Sequence, residues 1–179
     1  MKMCLTLKKI LRTGCMRMKR KKVWLLSGAP GSGKTSWAKK QIKEHGGVHC
    51  SRDEIRFSLL KDDEDYFAHE DEVIALWLEK VTDAINNPEV EDIYIDATHL
   101  TEKSRAKVLG ELPKGDYFVT TVFFDVPLET CIERNDNRTG RAFVPHSVIR
   151  SMHASYDQNT KLGDVTLHLD ENGERRGID

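Results

Sequence analysis

An apolar run that breaks into a glycine-rich turn and then into a helix-forming stretch constrains this chain more than any other feature: VWLLSGAPGSGKTS, residues 23–36. The spacing Gly-x-x-x-x-Gly-Lys-Thr, met by Gly28, Gly33, Lys34 and Thr35, is that of a phosphate-binding loop. Each position has a physical task. Gly28, Gly31 and Gly33 permit backbone conformations closed to residues with a Cβ, so successive N–H groups can turn inward on one anion. The helix starting near Gly33 adds its positive end. Ala29, Pro30, Ser32 and Ser36 complete the cradle, Lys34 is placed to reach the β- and γ-phosphates, and Thr35 is placed to ligate Mg²⁺. The expected ligand is therefore ATP with Mg²⁺. The context agrees, because a strand-like run, Val23 to Leu26, precedes the loop and a helix-like one, Ser36 to Glu44, follows it.

At 179 residues the chain reads as one domain with room for a proper core. Cys4, Cys15, Cys50 and Cys131 show no Cys-x-x-Cys spacing, which argues against a zinc site or a secreted disulfide framework and fits a reducing cytoplasm. The seven histidines are equally scattered. No apolar run approaches the ~20 residues of a membrane span. The net charge of −1 hides an asymmetry: nine of the 28 Lys and Arg residues fall in residues 1–22, leaving 19 against 29 acids beyond. Residues 1–22 read as a basic leader, floppy or an artefact of the start site, with Met16 and Met18 as alternative starts. The folded unit is expected over 23–179, with a net charge of −10.

Along the chain, strand and helix signals alternate. A first helix ends at Gly46-Gly47, and VHC (48–50) is a short second strand. Ser51 with Glu54 three residues on has the form of a capping box, so a helix starts there. Residues 61–72 carry seven acids and read as a solvated loop and helix start. Val73, Trp77, Val81 and Ala84 make a buried helical stripe. Strands follow at DIYID (92–96), Tyr117–Asp125 and Val165–Leu169, with helices from Thr101, Pro127 and Pro145 between them; the end after Asn172-Gly173 reads as frayed. Such alternation predicts a parallel sheet covered on both faces.

In sheets of this kind ligands gather at the carboxyl ends of the strands. The first strand ends in the phosphate loop, the second at Asp53, the third at Asp96. Phosphoryl transfer needs an acceptor hydroxyl oriented in line and its proton accepted late. Asp53 is the candidate base, with a helix-start residue as the alternative. Asp96 is the candidate for a metal-bound water or the acceptor, with a strand-end cap as the alternative. Arg134, Arg138 and Arg141 are spaced four and three apart, as either a solvated basic face or a hinged lid that brings an arginine onto the phosphates.

The segments GAPGSGKTSWA (28–38), SRDEIR (51–56), DATHL (96–100), FDVPLETCIERN (124–135) and VPHSVIRSM (144–152) together resemble the kinase half of phage-type 5′-polynucleotide kinases and related small phosphate-loop kinases, over roughly residues 22–156. The resemblance implies a P-loop α/β fold with three layers, a mostly parallel sheet and a helical lid. It also implies ATP-dependent phosphorylation of nucleic acid 5′-hydroxyl ends. In that scheme Lys34 and Thr35 hold ATP and metal, Asp53 is the general base, Arg56 grips a phosphate of the acceptor strand, and Arg138 contacts the ATP phosphates from the lid. The chain departs in having Ala97 where the family often has Asn, and no phosphatase half is expected in the residues after the match. Two other classes stand beside this reading: a kinase for a small-molecule hydroxyl, and a nucleotide-binding switch without turnover.

Overall fold

A computed structural model describes residues 20–158 and 162–178; the expectation for the basic leader falls outside them apart from its last three residues. The elements run β1 (Lys21–Ser27), α1 (Lys34–His45), β2 (Val48–Ser51), α2 (Arg52–Leu59), α3 (Glu70–Asn86), β3 (Asp92–Asp96), α4 (Glu102–Glu111), β4 (Tyr117–Phe124), α5 (Leu128–Asp136), a 3₁₀ turn (Gly140–Ala142), α6 (His146–Ala154), β5 (Val165–Leu169) and β6 (Arg175–Ile178). They build a six-stranded sheet in the order β2-β3-β1-β4-β5-β6. The first five strands are parallel and β6 is antiparallel to β5. From β1 the chain winds outward to β2 on one side and later to β4 and β5 on the other. The loop after β1 therefore lies where the winding reverses, the place where such sheets form their ligand crevice.

Strand alternation divides the core into two layers. Val23, Leu25, Ile93 and Ile95 face one way and pack with Trp77, Val81, Ala84 and Ile85 of α3 and Val108 of α4. Leu26, Tyr94, Val122 and Phe124 face the other way, onto Ala38 of α1, Cys131 of α5 and Ile149 of α6. The predicted α3 stripe is buried as expected, and its Trp77 is 2 % exposed with Nε1 donating to the Cys50 carbonyl at 2.9 Å. Burial of a side chain of this size stabilises by about 3 kcal/mol, and the indole bond ties α3 to the end of β2.

Helix starts follow local chemistry, with one difference. Thr101 caps α4 through a complete box in which its Oγ1 accepts from Ser104 N and Ser104 Oγ accepts from Thr101 N, both at 3.2 Å. Ser51 caps α2 by accepting from Glu54 N at 3.3 Å. The reciprocal half of that box is not made, because the Glu54 carboxylate is drawn to Lys39 at 3.0 Å and His49 at 3.3 Å. The chain end is also better ordered than the polar sequence predicts. Asp170 Oδ1 accepts from Asn172 N and Glu174 N, both at 2.9 Å. Gly173 takes a φ of +74°, and the turn so formed delivers β6 to the open edge of β5. An Asp-x-Asn-Gly turn signal was present; the strand after it is held by the neighbouring edge rather than by β-propensity of its own.

Candidate active site

The phosphate loop joins the end of β1 to the start of α1, and packing leaves it little freedom. Gly31 takes a φ of +84°, and a Cβ there would lie 2.2 Å from the Cys131 carbonyl oxygen of α5. Gly28 N donates to the Thr98 carbonyl at 2.9 Å, so the loop is stitched to the end of β3 as well. Ala29 and Ser32 are buried, while Thr35 and Ser36 face solvent at the first turn of α1. Lys34 is 8 % exposed. Its Nζ donates to the Gly28 and Ala29 carbonyls at 2.8 Å and to Ser32 Oγ at 3.3 Å. Burial pushes the Lys34 pKa down; the Asp96 charge opposes this, Arg138 adds to it, and Asp53 opposes it. These four residues, far apart in sequence, therefore share one electrostatic neighbourhood.

Asp96 ends β3 beside the loop because β1 and β3 pair in register, Leu26 opposite Asp96. Its Oδ2 accepts from Thr35 Oγ1 at 2.7 Å and lies 2.9 Å from His49 Nε2. Burial works against the carboxylate, but the bond from His49, the Lys34 charge and the bond from Thr35 outweigh it and hold the pKa below the ordinary value. Thr35 and Asp96 thus offer adjacent hard oxygens next to the phosphate cradle. That set fits Mg²⁺, which keeps most of its waters and takes one or two protein oxygens plus substrate phosphates. Among the described residues no cluster of three or more His, Cys, Asp or Glu forms a metal cage, as such a shared site requires none. His49 was not singled out from sequence. Only the pairing of β2 with β3 brings it beside Asp96.

Asp53 stands in the first turn of α2 and is 63 % exposed. Its Oδ1 accepts from Arg56 Nη1 at 2.8 Å and from the Tyr66 hydroxyl at 2.7 Å. Arg56, expected to grip an acceptor phosphate, is 4 % exposed. Its guanidinium is engaged by Asp53 and by Glu70, which also binds Arg52, and it lies over the Tyr66 ring at 4.4 Å. Glu70 and Tyr66 belong to the acidic stretch read as solvated; folding brings two of its members back onto α2.

The three spaced arginines do not share a helical face, because α5 stops at Asp136. Arg134 donates to the Glu171 carbonyl at 2.6 Å. Arg141 donates to the Leu60 carbonyl at 3.0 Å and to that of Lys61, so the turn after α5 rests on the end of α2. Arg138 is exposed between them, with its charge felt at Lys34. Asn135 braces the base of this segment through a pair of 2.9 Å bonds with the Val144 backbone.

A recess of about 300 Å³ is lined by Arg52, Trp77, Thr98, His99, Ser104 and Lys107 among others. His99 is buried with a φ of +42°. Its Nδ1 lies 2.9 Å from the Leu26 carbonyl, and burial lowers its pKa to about 4. Among the described residues no helix is long and apolar enough to cross a membrane.

The chain is similar to several solved structures. It aligns with a chain of the Pnkp1/Rnl/Hen1 RNA repair complex at 26 % identity and a TM-score of 0.64, covering 76 % of this chain and 44 % of that one; it thus spans under half the length of that relative. A sugar kinase from Janibacter sp. HTCC2649 matches at 24 % identity and a TM-score of 0.59, over 87 % of both chains. A putative kinase from Chloroflexus aurantiacus superposes with a TM-score of 0.67 at 11 % identity, over 85 % of both. Residues 23–159 match the AAA domain family AAA_33. That match takes in the phosphate loop, Asp53, Asp96 and the arginine turn, and the chain belongs to this family, with a P-loop kinase fold.

Proposed function

We propose that the protein transfers the γ-phosphate of ATP to the 5′-hydroxyl of a nucleic acid end. The observation that carries the reading is the phosphate loop with Lys34 folded into it and Asp96 joined to its Thr35 at 2.7 Å, with the charges of Asp53 and Arg138 felt at Lys34. Residues 28–36 cradle the triphosphate, and Lys34 exchanges its carbonyl partners for phosphate oxygens. Thr35 and Asp96 would hold Mg²⁺, which supplies charge neutralisation when bound. Asp53 orients the acceptor hydroxyl and receives its proton. The hydroxyl oxygen bonds to the γ-phosphorus while the bond to the β,γ-bridging oxygen breaks, and ADP leaves. Arg138 brings a positive charge to the moving phosphoryl group from the lid. The likeness to the RNA repair chain supports a polynucleotide acceptor. The buried free thiols Cys50 and Cys131 suit a cytoplasmic setting.

One observation favours a second acceptor class. Arg56 is engaged by two carboxylates, so an acceptor phosphate must displace one of them, whereas a small alcohol needs no such cation. The 300 Å³ recess beside Arg52 is of a size for a small polyol or nucleoside. The deciding experiment is radiolabel transfer from ATP to 5′-hydroxyl RNA, 5′-hydroxyl DNA, adenosine and gluconate at equal concentration. The expected result is transfer to the oligonucleotides, abolished in Lys34→Ala and reduced about 10²–10⁴-fold in Asp53→Asn. Preferential labelling of adenosine or gluconate would replace the polynucleotide reading with the second. No labelling of any acceptor, with ATP still bound, would leave a nucleotide-binding switch.

A further inference from the structure

The carboxylate proposed as the base is exposed and sits on a short helix, so something must hold it in one rotamer while the acceptor arrives. We infer that Tyr66 and Glu70 are positioning residues for Asp53: Tyr66 through a direct hydrogen bond to Oδ1, Glu70 through Arg56. The inference rests on the reading of Asp53 as the base.

The geometry is asymmetric. Oδ1 of Asp53 accepts two bonds, from Tyr66 Oη at 2.7 Å and Arg56 Nη1 at 2.8 Å, and Arg56 Nη1 also donates to Tyr66 Oη at 3.0 Å. The three groups form a closed triangle that holds Oδ1 in place and leaves Oδ2 to the acceptor hydroxyl. Arg56 is itself held, because Glu70 takes its Nη2 with one oxygen and Arg52 with the other. Arg52 and Arg56 are one turn apart on α2, so a single carboxylate from the start of α3 braces the helix that carries the base. The Tyr66 ring is held by edge contacts with Phe67 at 4.9 Å and Phe57 at 6.3 Å. Burial, with Asp53 adding to it, pushes the Tyr66 hydroxyl up to about 12, so it remains a donor at working pH.

An arrangement that holds one carboxylate oxygen with two donors makes sense where the direction of the base is what the reaction needs. Phosphoryl transfer is such a case, since its loose transition state demands in-line placement and takes the proton late. A base misplaced by about 1 Å costs on the order of 10²-fold in rate. The acidic 61–72 segment is then part of the machinery: its Glu70 pairs with Arg52 and Arg56 of α2 and its tyrosine aims the base.

The test uses the full chain, radiolabelled ATP and three acceptors, a 5′-hydroxyl oligoribonucleotide, adenosine and gluconate, with kinetics read on whichever the wild type phosphorylates. Tyr66→Phe, which keeps the ring, should lower kcat about ten- to a hundred-fold with the ATP KM unchanged. Glu70→Gln should lower kcat in the same sense. In an Asp53→Asn background neither substitution should lower the residual rate further, because there is no longer a base to aim. A scaffold role would instead lower kcat by the same factor in both backgrounds, or raise the ATP KM, and would overturn the inference. If Asp53→Asn is impaired while Tyr66→Phe keeps the wild-type kcat, positioning fails and the base reading stands. If Asp53→Asn itself stays within a few-fold of wild type, or the wild type labels none of the three, the base reading falls and takes the inference with it.

Discussion

Gly31→Ala is the sharpest single perturbation of the phosphate loop, because two independent penalties meet there. The residue holds a φ of +84°, a region that costs an L-residue about 1–2 kcal/mol. The added Cβ would also lie 2.2 Å from the Cys131 carbonyl oxygen, 3.0 Å from its carbon and 3.1 Å from its Cα. All three atoms are backbone within α5, so relief requires the loop or the helix to move by about 1 Å, at a cost typical of overpacking, about 1–3 kcal/mol. Together these give a loss of about 2–5 kcal/mol, or roughly 5–15 °C in Tm for a chain of this size. The same 1 Å shift displaces the amides that face the phosphates, so ATP affinity should fall at least about tenfold. The control is Gly110→Ala, at an exposed position on α4 where a Cβ meets nothing within 4 Å; there the change should stabilise by up to about 1 kcal/mol. Calorimetry and ATP titration of both variants provide the check. A Gly31→Ala protein that melts within about 1 °C of wild type and binds ATP within about two-fold would refute the argument that α5 and the loop interlock at this glycine.

Other outcomes follow from single features. His99 resists protonation in the fold, with a pKa of about 4 against about 6.5 unfolded. Between those values the unfolded chain binds the extra proton, so stability falls as pH drops from 6.5 to 4, by about 3 kcal/mol in total; urea melts across that window should show a shallower slope in His99→Asn, whose side chain tolerates the positive φ. Trp77→Ala should cost about 3–5 kcal/mol by the cavity it leaves, read as a lower urea midpoint. Arg138→Ala should lower kcat with little change in Tm. Arg141→Ala should instead loosen the turn from the Leu60 and Lys61 carbonyls and shorten protection of α2 amides in hydrogen exchange. Equal and mild losses of kcat at Arg134, Arg138 and Arg141 would show that the turn is only a basic surface.

Much of this protein is written locally. The phosphate loop can be read from 28–36 alone because its function depends on contiguous backbone, and the strand before it and helix after it carry their own periodicity. Strand-end Asp96, the buried α3 stripe and the Thr101 cap are legible for the same reason: each depends on residues within a turn or two. What could not be read is what depends on packing between distant segments. His49 meets Asp96 only because β2 pairs with β3. Glu54 is diverted from its capping role by Lys39 and His49. Charge composition marks 61–72 as solvent-facing, yet Tyr66 and Glu70 fold back onto α2, because the buried Arg56 guanidinium needs acceptors beyond the Asp53 carboxylate and Glu70 supplies one. The four-and-three spacing of Arg134, Arg138 and Arg141 implies a common face only while the helix lasts, and α5 ends at Asp136. Sequence by itself determined the fold and the phosphate cradle; tertiary structure decided which charges pair, and so which cations remain available to a substrate, because pairing is set by distance in space.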